Sequence, residues 1–227
     1  MQIVGEIERR QHYHLNAQHV CYFFGEYTPH EYTEGRRASF SETNQHISNL
    51  KKSMTRKGMH DWHYKANAID IAGKRLFDAI NWETAVKDAT FIPVPPSKIR
   101  TDAAYDDRML KVLQRLNSRL PFELDIRDML ISDGSLNASH ENNGRATPEE
   151  ISKSISFDEA LAGKLPAPKY LFVLDDVLTT GSHFVGISQL LSQRFPGVPI
   201  VGCFVARTVR PETDFSAIFD DSPDIDF

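Results

Sequence analysis

From about residue 88 onward, short apolar runs alternate with stretches of helical period. Phe91-Ile92-Pro93-Val94 predicts a strand, and Tyr105, Met109, Val112, Leu113 and Leu116 mark an amphipathic helix. Glu123 to Ile131 predicts a second strand and 171–176 a third. Phe184, Ile187, Leu190, Leu191 and Phe195 mark the next helix, and Pro199 to Val205 predicts the last strand. This alternation predicts an α/β fold, a parallel twisted sheet with helices on both faces. Its crossovers should be right-handed, and ligands should sit outside the carboxyl ends of the strands.

The first half is less regular. His19-Val20-Cys21-Tyr22-Phe23-Phe24 predicts a strand. Ser41 is a good N-cap for a helix running to about Arg56, with Gly58 ending it. Ala66, Ile69, Leu76 and Ile80 predict a helix over 62–80. The expected division is an α+β extension over 1–87, an α/β domain over 88–210 and an acidic tail over 211–227. That tail carries six acids and no Lys or Arg, so it reads as solvated. Histidines at 12, 14, 19, 30, 46, 60 and 63 are irregularly spaced and lack local acid partners, which favours surface and partly buried side chains over a metal site.

Chemistry concentrates in the run from Tyr170 to Ser182, YLFVLDDVLTTGS. Five apolar residues suit a central strand covered on both faces. Asp175 and Asp176 follow, and Thr179, Thr180, Gly181 and Ser182 lead into a helix. Unpaired N–H groups at a helix start, helped by the helix dipole, receive phosphate. Adjacent acids beside a phosphate site make sense if the ligand also carries a diol or a metal ion, as a ribose 5-phosphate does. The run lacks the lysine-bearing loop of nucleotide triphosphatases and the spaced glycines of a dinucleotide site. A second loop, Pro95-Pro96-Ser97-Lys98-Ile99-Arg100, should open on the same sheet edge. Ser97, Lys98 and Arg100 offer it a hydroxyl, a point charge and a planar fork for pyrophosphate.

The strand, acid pair and Thr-Thr-Gly loop closely resemble the phosphoribosyl pyrophosphate (PRPP) signature of type I phosphoribosyltransferases. Ile92-Pro93-Val94-Pro95 and the closing Phe204-Val205-Ala206-Arg207-Thr208 resemble the ComF (competence protein F) branch, over about residues 88–210. Departures accompany the likeness. That branch usually carries an Arg-Gly-Phe-Asn-Gln-like turn where this chain has Ala104-Tyr105-Asp106-Asp107-Arg108, and His183 replaces a small or hydroxyl residue. The branch's cysteine zinc module is ruled out.

The resemblance implies transfer of a 5-phosphoribosyl group from PRPP to an unidentified nitrogen acceptor, with release of pyrophosphate. Asp175 and Asp176 would favour the oxocarbenium-like transition state, and Mg2+ would reach them through ribose hydroxyls or water. Lys98 and Arg100 would stabilise the leaving group. The polar segment 132–150 would be mobile without ligand and close over the site, bringing Ser139, His140 or Arg145 to pyrophosphate. His183 would meet phosphate or face solvent. Arg210-Pro211 and Phe215 are candidates for a base pocket. The rival reading is a PRPP-sensing regulator without turnover, or an accessory protein in DNA uptake or genome defence.

Composition changes this picture little. A net charge of -5 excludes a general nucleic-acid coat, and a basic face with Lys51, Lys52, Arg56 and Lys57 leaves only local contact open. No apolar run reaches a membrane span and Met1-Gln2-Ile3-Val4 opens no signal peptide, so a cytoplasmic location is expected. Cys21 and Cys203 sit far apart in apolar contexts and read as buried thiols. A homodimer is left open.

Overall fold

The structure, a computed structural model, describes residues 1–82, 88–135 and 146–211. Its elements begin with β1 (Gln2–Ile3), α1 (Glu6–Arg9), β2 (Val20–Tyr27), α2 (Glu42–Leu50) and α3 (His63–Ala79). The chain continues through β3 (Ala89–Pro93), α4 (Arg108–Asn117), β4 (Asp125–Ile126) and β5 (Leu130–Ser132). It closes with α5 (Pro148–Ser154), β6 (Ile155–Phe157), α6 (Glu159–Ala162), β7 (Tyr170–Leu178), α7 (Ser182–Arg194) and β8 (Ile200–Thr208).

Six strands form one sheet in the order β1-β2-β8-β7-β3-β4, parallel except at β1. The fold is thus α/β with a mostly parallel sheet. β5 and β6 pair antiparallel as a separate ribbon. The two longest partners, β7 and β8, lie at the centre, which is why their sequences are nearly continuous apolar runs.

Two cores flank the sheet. Ile92, Leu171 and Val173 face Phe184, Ile187 and Leu191 of α7 and Ile151 of α5. Phe91 and Leu174 face Ile47 and Leu50 of α2, Leu76 of α3 and Val112, Leu113 and Leu116 of α4. Each buried Leu, Ile or Phe contributes about 1.5–3 kcal/mol. α4 and α7 therefore lie on opposite faces. From β3 the chain proceeds through α4 outward to β4, whereas from β7 it proceeds through α7 outward to β8. The direction of winding reverses between β3 and β7, and there a crevice opens at the strands' carboxyl ends.

Several expectations change in detail. The strand β2 of the 1–87 segment is an internal member of the sheet, paired with β8 over its length, and α3 packs on α4. The segment is woven into the fold rather than appended to it. The helix expected from Ser41 to Arg56 starts as expected, with Ser41 Oγ accepting from Asn44 N–H, but ends at Leu50. Lys65 stops it, because its ammonium donates to the carbonyls of Leu50 (2.7 Å) and Lys52 (3.0 Å). A 3-10 turn, Met54–Arg56, follows. The strand expected over 123–131 is broken into β4 and β5 by Arg127, fully buried and bonded to Asp125 and to the Pro166 carbonyl. Cys21 and Cys203 are buried thiols, each pushed up to about 12 chiefly by burial. None of the described helices is long and apolar enough to cross a membrane.

Candidate functional site

A cavity of about 350 Å³ fills the crevice between β3 and β7. Thr179, Thr180 and Ser182, in the loop that opens α7, line it. Gly181 takes φ +88°, and a Cβ there would lie 2.9 Å from Leu15 Cγ, so both backbone and space demand glycine. The loop is pinned from behind by the N-terminal segment. His14 N–H donates to the Thr180 carbonyl at 3.1 Å, and His12 Nδ1 donates to that of Thr179. Inside the loop, Thr180 Oγ1 contacts Ser182 Oγ at 3.2 Å. Thr180 and Ser182 are buried, whereas Thr179 is exposed.

The acid pair is divided in its surroundings. Asp175 Oδ1 accepts the N–H of Asp176 at 2.7 Å, and Oδ2 lies 3.7 Å from His183 Nδ1. Burial works against a charged His183, but the nearby carboxylates of Asp175 and then Asp176 overcome it and raise its pKa above the usual imidazole value. Asp176 is buried, with Oδ1 3.0 Å from Lys51 Nζ. Its Oδ2 accepts from Arg108 Nε at 2.8 Å and from Nη2. Burial alone would push this carboxyl up; Lys51 and Arg108 outweigh it and hold it well below the usual carboxylate range. The network continues through Arg108 Nη1 to Asp106 Oδ2 (2.9 Å) and on to buried Lys65 (2.7 Å). A ladder of alternating charge thus runs from α3 to β7.

Ser97, with Pro95 and Pro96, lines the cavity beside Asp175, Asp176, Thr179, Thr180, Ser182 and His183. Both loops open on one edge because β3 and β7 are parallel neighbours. Lys98 and Arg100 do not line the cavity. Arg100 donates through Nη2 to Asp128 Oδ2 and to its carbonyl, each at 2.8 Å, and Lys98 Nζ lies 3.9 Å from Asp102. Ser139, His140, Arg145 and Phe215 lie outside the described residues. Arg210 faces α1 rather than this cavity.

Among the described residues, the Lys and Arg side chains that line it are Lys51 and Arg108. Lys51 read as one charge of a basic helix face, but its neighbours Lys52 and Arg56 pair with Asp61 at 2.8 and 2.9 Å. Arg108 stood in the turn that departs from the ComF pattern. Neither carried a local signal, since each is brought to β7 by helix packing. Among the described residues no group of three or more His, Cys, Asp or Glu could hold a metal ion. Direct ligation by Asp176 does not fit, because both its oxygens already serve Lys51 and Arg108.

No family model matches the sequence, and no curated protein matches it. Among solved structures, the PCH-2 protein of C. elegans is similar at 14% identity with a TM-score of 0.18, over 78% of this chain and 44% of that one. The chain thus spans less than half of that protein, and so low a TM-score carries no argument.

Proposed function

We propose that this protein is a phosphoribosyltransferase of the type I, ComF-like kind. It binds PRPP or a ribose 5-phosphate and transfers the phosphoribosyl group to a nitrogen acceptor, releasing pyrophosphate. The observation that carries the reading is the convergence of the Thr179–Ser182 loop, the acids Asp175 and Asp176, and the Ser97 loop on one cavity at the reversal of winding. The 5-phosphate would sit on the N-terminus of α7. The ribose hydroxyls would meet Asp175 and the Oδ1 side of Asp176. The bond from C1 to the pyrophosphate oxygen breaks with its electron pair leaving on pyrophosphate. The acceptor nitrogen then bonds C1 and gives up its proton. Lys51 and Arg108 face the developing negative charge, the part first expected of Lys98 and Arg100. Magnesium enters with PRPP as part of the substrate, reaching the acids only through hydroxyls or water.

A second reading, PRPP sensing without turnover, draws on the pairing of Arg100 with Asp128 and on Asp176 already engaging both nearby cations. Calorimetric titration with PRPP and Mg2+, followed by pyrophosphate release across a panel of nitrogen bases, separates the two. Binding with release is expected; binding without release from any base selects the sensor. Absence of PRPP binding by folded protein at millimolar ligand overturns both.

A further inference from the structure

The end of β8 and helix α1 enclose a second cavity, of about 300 Å³, which shares no lining residue with the first. Arg10, Arg207 and Arg210 line it. The segment after β8 is clamped to the segment after α1 there by Gln11, whose side chain donates to the Arg210 carbonyl at 3.0 Å and accepts the Arg210 N–H at 2.8 Å. Arg207 pairs with Glu26 at 2.5 Å, but among the described residues Arg9, Arg10 and Arg210 have no ion-pair partner. Glu8, which also lines the cavity, turns its carboxylate to the Gly5 N–H at 2.9 Å. Arg207 Nε, Arg210 Nη2 and Arg9 Nε are buried with no acceptor. Buried cationic donors without acceptors cost free energy, and a multidentate anion relieves that cost.

We infer that this cavity is a second anion site, which takes the phosphate group of a small-molecule ligand on Arg10, Arg207 and Arg210. A phosphate offers several oxygens to planar guanidinium forks converging from two elements. The site lies on the far side of His12 from the first loop. His12 stands between them, donating to the Thr179 carbonyl through Nδ1 while its buried Nε2 has no partner. Burial first, then the charges of Arg207 and Arg210, hold His12 below the usual imidazole range.

The test is titration of the full chain with inorganic phosphate, followed by NMR at the amides of Arg10 and Arg210 and, separately, of Gly181 and Ser182. Saturable shifts are expected at both pairs, and Arg10→Gln should weaken the Arg210 curve about tenfold while moving the Gly181 curve less than about twofold. Arg10 is exposed, so this variant retains the fold. The titration is repeated with the six acids of 212–227 changed to amides, which removes the side-chain carboxylates of that segment as competitors. No saturable shift at Arg210 in either chain overturns the inference, as does an Arg210 curve unchanged by Arg10→Gln. Shifts at Arg210 without shifts at Gly181 would uphold this site and count against the proposed function.

Discussion

Asp176 is the residue on which the site's electrostatics turn, because it holds two cations at the cavity wall. If Lys51 receives pyrophosphate, Lys51→Ala should weaken PRPP binding about tenfold and ribose 5-phosphate binding by less than about threefold, read by calorimetry. Equal losses would mean that Lys51 serves only Asp176. Arg108→Ala leaves a buried carboxylate with one partner fewer and should cost about 3 kcal/mol in urea denaturation. The pH dependence follows from the depressed pKa of Asp176. Its contribution is fully present above the unfolded value, about 3.9, and is lost as pH falls below it toward the lower folded value. Arg108→Ala should therefore lose less stability than wild type between about pH 4 and pH 2, because its Asp176 is less depressed. Asp175, Asp176 and the 179–182 loop were legible in the sequence because they are contiguous. Lys51 and Arg108 were not, because 125 and 68 positions separate them from Asp176.

Helix α7 positions the loop and is itself positioned by α5. Their contact is close because Gly186 has no side chain; a Cβ there would lie 2.5 Å from the backbone carbonyl oxygen of Pro148 and 3.0 Å from Ile151. α5 is in turn fixed at its start by a capping box, in which Thr147 Oγ1 accepts from Glu150 N–H and the Glu150 carboxylate accepts from Thr147 N–H. Gly186→Ala must push backbone against backbone. It should destabilise the protein by about 1–3 kcal/mol in urea denaturation, despite the better helix propensity of alanine. A stabilised variant would show that α5 moves aside freely. The spans of α3, α4 and α7 were readable from their apolar period. The end of α2 was not, because the Lys65 ammonium that takes its last carbonyls comes from another helix.

The molecule as a whole joins its halves through the sheet. β2 covers one side of β8, α3 covers α4, and residues 12–15 brace the Thr179–Ser182 loop. Residues 88–211 alone should therefore fail to fold cooperatively, showing no sharp urea transition by near-ultraviolet circular dichroism, while the full chain unfolds in one transition. A cooperative fragment would restore the first 87 residues to the status of an extension. By itself the sequence determined the α/β class, the central strands and the residues of the loop that opens α7, since apolar period and helix-start signals act within a dozen residues. Only the tertiary structure decided that β2 lies inside the sheet, that Lys51 and Arg108 rather than Lys98 and Arg100 line the cavity, and that Arg10 and Arg210 line one cavity. Strand order and ion pairing over long separations depend on which surfaces pack together, and no local pattern of residues encodes that.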